Sequence, residues 1–84
     1  MPRNRTSEKL AIMRRDGPHC FYCGRWRRNP LLMTIEHLEA SALGGPNALP
    51  NLRLADVLCN KFAGRRPVAV KLELRAKWHM AEGL

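Results

Sequence analysis

Two sets of residues in this chain could do chemistry. The first is Cys20 and Cys23, separated by Phe21 and Tyr22. Thiolates are metal ligands, and two at this spacing can point at one ion when the backbone turns between them. Gly24 follows directly and can leave such a turn at positive φ. A redox pair is the rival reading, but the strand-to-helix setting of a thioredoxin is missing. Two buried thiols with no common partner is the plain one. The second set is Thr34-Ile35-Glu36-His37-Leu38, an acid beside a histidine after a short apolar run, with Asn60 further on. Breaking a phosphodiester requires a base for the attacking water and positive charge for the phosphate and the leaving oxygen. A neutral histidine suits the first task near neutral pH. A divalent cation held by a carboxylate and an amide suits the second. On a strand, Glu36 and His37 point to opposite faces and can take different tasks. Alone, such a pair is more often a surface acid beside a satisfied histidine.

The elements that must position these groups belong to a short chain. Its 84 residues make one domain, too small for a large core and in need of a metal or cross-link as a staple. Apolar residues at 45% are enough for a folded domain. Fifteen Lys and Arg against seven Asp and Glu leave a net charge of +8. That balance suits a polyanionic partner, most simply nucleic acid, or else a well-solvated basic surface. Three cysteines are an odd number, which argues against a closed disulfide framework. The basic start has no apolar stretch behind it, so no signal peptide is expected. No apolar run nears the ~20 residues of a membrane span. The expected setting is a reducing cytoplasm, that of a bacterium or a phage-infected cell.

Along the chain, residues 1–5 read as a basic arm. Thr6 or Ser7 can cap a helix that carries Glu8 in its first turn and Arg14 and Arg15 in its last, stopped by Asp16-Gly17-Pro18. It reads as a packing helix with a solvated basic end. Residues 25–29 are basic and contain Trp26, either an aromatic platform beside phosphate contacts or a cap on the core edge. Residues 31–38 form a strand candidate. Residues 39–50 are rich in turn formers and make a functional loop. Residues 51–54 are a second short strand, and 55–63 a helix ending at Gly64. Residues 68–82 are ambiguous. Their apolar residues alternate as in a strand. Their types, with Glu73 and Lys77 one helical turn apart, favour a helix, which is the reading adopted.

Taken together, Cys20-x-x-Cys23, Glu36-His37-Leu38, Gly44-Gly45-Pro46-Asn47, Asn51-Leu52 and Cys59-Asn60 resemble the HNH endonuclease family. The resemblance covers roughly residues 7–67. It implies an α+β fold: a small ββα-metal (His-Me finger) core over about 18–66, braced by a structural zinc and flanked by N- and C-terminal helices. It implies that Glu36 binds the catalytic cation, His37 is the general base, Asn51 orients that histidine through the loop backbone, and Asn60 completes the cation site. Zinc-containing members carry two cysteine pairs. Here the zinc ligands would be Cys20, Cys23, Cys59 and Asp56, with Asp56 standing where the family usually has cysteine. His19 or a water are the alternatives for that fourth place, and a helix-capping acid is the plain reading of Asp56. Ala40 replaces a common proline. Ala63 replaces a common lysine, whose phosphate contact Lys61, Arg65 or Arg66 could take over.

The expectation is therefore an endonuclease that uses Mg2+ or Mn2+ for catalysis and Zn2+ for structure. It would touch DNA phosphates through Arg25, Arg27, Arg28, Lys61, Arg65 and Arg66. Mostly phosphate contacts imply weak sequence preference and strong salt dependence. Two rivals remain. A zinc module that only binds nucleic acid has no need of Glu36, His37 and Asn60 together. A partner-dependent component of a phage assembly is suggested by the lack of an appended recognition domain.

Overall fold

The computed structural model describes residues 5–81. Of the expected basic arm only Arg5 lies among them, and Glu82, the expected end of the last helix, lies outside. The first helix, α1, spans Thr6–Asp16. It buries Ile12 and packs Met13 against the core. Neither Thr6 nor Ser7 caps it: Arg5 holds the cap position, without a side-chain cap bond. The Arg5 guanidinium instead grips Glu8 through two bonds, of 3.2 and 3.0 Å, so an ion pair closes the first turn. At the other end the Gly17 N–H donates to the Met13 carbonyl at 2.7 Å.

Residues 19–26 fold into a knuckle. His19 and Trp26 pair as an antiparallel bridge, and the Gly24 N–H donates to the Cys20 carbonyl at 2.9 Å. Gly24 sits at φ 76°, the left-handed region where a side chain is strained. The Phe21 N–H donates to the Leu54 carbonyl at 2.7 Å, which ties the knuckle to the sheet.

That sheet is an antiparallel pair, β1 (Thr34–His37) and β2 (Leu52–Ala55), in which Thr34 faces Ala55 and His37 faces Leu52. Both strands are shifted or shortened relative to the sequence reading. Pro30–Leu32 is a 3-10 turn, because Asn29 accepts the Leu31 N–H on its side chain and the Leu32 N–H on its carbonyl. Asn51 is drawn into a second such turn, Leu49–Asn51, by donating to the Ala48 carbonyl at 2.8 Å. A third, Ser41–Leu43, lies in the loop between the strands.

The next helix, α2, spans Val57–Ala63 and ends at Gly64. It begins two residues later than expected because Ala55 is still paired in the sheet and Asp56 is extended at φ −61°, ψ 147°. The last helix, α3, spans Val68–Ala81, so composition prevails over alternation. Its inner face carries Lys71, Leu74, Arg75, Trp78 and His79, while Val70 and Leu72 are exposed. Trp78 packs edge-on against Tyr22 and Phe62 at 5.6 and 5.5 Å. The core gathers Ile12, Cys20, Tyr22, Met33, Ile35, Leu52, Leu54, Ala55 and Ala63. The described residues thus form a small α+β domain of three α-helices and a two-stranded antiparallel sheet. Among the described residues no helix is long and apolar enough to cross a membrane.

Candidate metal centre and active site

The knuckle, the end of β2 and the first turn of α2 converge on one point. There the ligand atoms of Cys20, Cys23, Asp56 and Cys59 all lie within 4.8 Å of one another. A tetrahedral ion with metal–sulfur bonds of ~2.3 Å needs donors roughly 3.8 Å apart, so the set fits a metal such as zinc. Burial and the neighbouring thiols push Cys59 up to about 12, and Cys23 is raised by burial first. These thiols are therefore neutral until a cation arrives to favour their thiolates. The Asp56 N–H donates to the Cys20 sulfur at 3.4 Å. The Asp56 side chain makes no cap bond to α2. It is paired twice with the Arg27 guanidinium, whose hydrogen bond holds its carboxyl below the usual range. His19, the alternative ligand, is not in the cluster. Its Nδ1 is buried without a partner, its ring meets Trp26 edge-on, and it lines a separate cavity of about 260 Å3.

Around β1 the predicted site residues take distinct places. Glu36 is 4% exposed. Its Oε2 accepts the Tyr22 hydroxyl at 2.5 Å and lies 3.6 Å from the Lys71 ammonium. Lys71 is fully buried, and the same ammonium donates to the His37 carbonyl at 2.7 Å. Burial first, then the bond to Glu36, raises the Tyr22 hydroxyl, so it remains a donor. The His37 side chain is half-buried, with its Nε2 3.2 Å from the Asn47 Oδ1. That oxygen also accepts from Arg5 at 2.8 Å. An amide oxygen can only accept, so the contact selects the tautomer of the neutral imidazole that is protonated at Nε2 and bare at Nδ1.

Asn51 acts as a staple on the loop. Its Oδ1 accepts the Glu39 N–H at 2.7 Å, and its Nδ2 donates to the Glu39 and Pro46 carbonyls, each at 2.9 Å. Within that loop a Cβ on Gly45 would lie 1.8 Å from the Glu39 carbonyl oxygen, so only glycine fits. Asn60, on α2, donates to the Ile35 carbonyl at 3.3 Å and reaches β1 from the other element of the expected site. The Glu36 and Asn60 pair, as arranged, does not fit an added divalent ion, because the carboxylate already holds an ammonium.

No family model, curated protein or solved structure matches this chain. The local geometry therefore carries the functional argument.

The basic residues expected at phosphate divide into two groups. Arg27 is committed to Asp56, and Arg66 is folded back onto the Phe62 and Ala63 carbonyls at the end of α2. Arg25, Arg28, Lys61 and Arg65 have exposed side chains. Trp26 is 70% exposed, so it does not cap the core edge. Sequence reasoning missed two groups at the site, Tyr22 and Lys71. Tyr22 was hidden between the two cysteines. The one available signal for Lys71 was its helical spacing from Leu74, Arg75 and Trp78, which the strict alternation of apolar residues obscured.

Proposed function

We propose that this protein is a small HNH-type nuclease that binds DNA and hydrolyses its phosphodiester backbone. What supports this most is the work Asn51 does. It closes the loop after β1 with three hydrogen bonds, and that loop brings Asn47 against His37. In this reading the Nδ1 of His37 takes the proton of the attacking water, while Asn47 fixes the tautomer. Exposed Arg25, Arg28, Lys61 and Arg65 meet the phosphates. Cys20, Cys23, Cys59 and Asp56 hold a structural zinc that locks the knuckle to α2, and Arg27 offsets the negative charge of that set. A magnesium or manganese ion would supply charge neutralisation in this reading, and Glu36 and Asn60 could hold one only after Lys71 had vacated the carboxylate. A reducing cytoplasm keeps the thiols available for their metal.

The pairing of Glu36 with Lys71 favours a second reading, a zinc module that binds nucleic acid without cutting it, alone or within a larger assembly. Plasmid nicking separates the two. Wild type is expected to nick in the presence of magnesium or manganese. His37→Ala is expected to bind DNA equally and to lose roughly 10²–10⁴-fold in rate. Equal cleavage by both proteins overturns the assignment of the base. DNA binding without cleavage by either moves the protein to the second reading.

A further inference from the structure

The Lys71 ammonium stands where a nuclease of the proposed kind needs a metal ion. We infer that it is the resident cation of Glu36, and that a divalent ion reaches this carboxylate only by displacing it. The inference rests on the proposed function for the place where an ion is expected, and on the geometry for what is already there.

Two oxygens surround the Lys71 nitrogen, the His37 carbonyl at 2.7 Å and the Glu36 carboxylate at 3.6 Å. Both are hard donors of the kind that magnesium and manganese take. The ammonium has no exposure, and Glu36 has 4%. A buried carboxylate cannot stand uncompensated, and here its compensation comes from within the chain. Lys71 is not a loose side chain that happens to reach this site. It is delivered by α3, which is anchored beside it. Arg75 donates to the Phe21 carbonyl at 2.9 Å and stacks over the Phe21 ring at 4.8 Å, while Trp78 packs on Tyr22. Vacating the carboxylate therefore requires Lys71 to leave a position that the whole face of α3 enforces. The consequence is a raised concentration of divalent ion for occupancy. An ion binding with the intrinsic affinity of the oxygens must also overcome the tethered competitor.

The test is manganese binding to the full, zinc-loaded chain, followed by the free-ion electron paramagnetic resonance signal. Manganese prefers oxygen donors and leaves the thiolate centre to zinc. Wild type is compared with Lys71→Gln, which keeps a hydrogen-bond donor for the His37 carbonyl and removes the charge. The expected result is at least tenfold tighter manganese binding by Lys71→Gln, abolished again in Glu36→Gln/Lys71→Gln. Should the single variant be poorly folded without metal, the readout is its melting midpoint, which manganese raises in Lys71→Gln and not in the double variant. Equal or weaker affinity in Lys71→Gln overturns the inference, as does a gained site that survives Glu36→Gln. Failure of the functional reading looks different. In that case no protein nicks DNA, whatever the manganese titration shows.

Discussion

Two places in this molecule call for positive charge, and they are answered differently. At the cysteine cluster the donors converge from three segments, and Arg27 takes the Asp56 carboxylate. At Glu36 an internal ammonium fills the need. The difference follows from the acids involved. A thiol can be buried neutral, and burial itself pushes Cys59 and Cys23 towards that form. Glu36 is instead partnered within the chain, by the Lys71 ammonium and the Tyr22 hydroxyl. The cluster is thus a set of donors that could take a metal such as zinc, whereas the charge of Glu36 is matched by a lysine of α3.

The comparison can be broken most severely at the cluster. Cys20→Ser removes a fully buried ligand that also accepts the Asp56 N–H. It is expected to abolish the cooperative melting transition and the bound zinc, since metal binding in small domains is largely folding free energy. An unchanged melt and zinc count would reject the metal centre.

At the other place, Lys71→Met leaves Glu36 buried without its partner and is expected to cost about 3–5 kcal/mol. Glu36→Gln/Lys71→Met should recover much of that loss in chemical denaturation, because no charge is then stranded. Two single variants and a double variant that simply add would mean the two side chains are not coupled.

Asn51→Ala tests a brace built from hydrogen bonds alone. It removes three bonds to the loop backbone and is expected to cost about 1–3 kcal/mol, with a larger proportional loss in nicking than in DNA binding. Equal losses in both would assign Asn51 to general stability.

The smallest effect is expected at an exposed pair. Arg15 holds Asp16 through two bonds of 2.8 and 2.7 Å, and this lowers the Asp16 carboxyl below its usual range. A depressed carboxyl contributes stability above its unfolded pKa of about 3.9, and the contribution is lost as pH falls through the folded value. Asp16→Asn should therefore destabilise by less than about 1 kcal/mol near neutral pH, with the difference fading as pH falls below the usual carboxylate range. A difference that persists in acid would point to packing instead of charge. Set beside Glu36–Lys71, this pair measures how much burial adds to an ion pair.

Much of the architecture was legible in the residues. Gly24 in the knuckle and Gly64 after α2 marked turns that the fold uses. The spacing of Cys20 and Cys23, and the resemblance that added Asp56 and Cys59, named the four side chains that meet. Boundaries were harder to read, since Asn29 and Asn51 divert backbone groups into turns that compete with strand pairing. Trp26 was ambiguous for a similar reason: its surroundings in sequence do not say which side of the knuckle it takes.

The candidate ligand set needed the family resemblance beside the cysteine spacing. The order of the elements and the helical state of α3 follow from residue type, spacing and turn chemistry, which act over a few neighbours. The pairing of Glu36 with Lys71 does not. It joins a strand to a helix 35 positions later, and nothing local distinguishes Lys71 from Lys77, which is exposed. Only the docking of α3 on the knuckle decided which lysine would be buried, because burial and charge pairing depend on what a face meets and not on the residue that carries it.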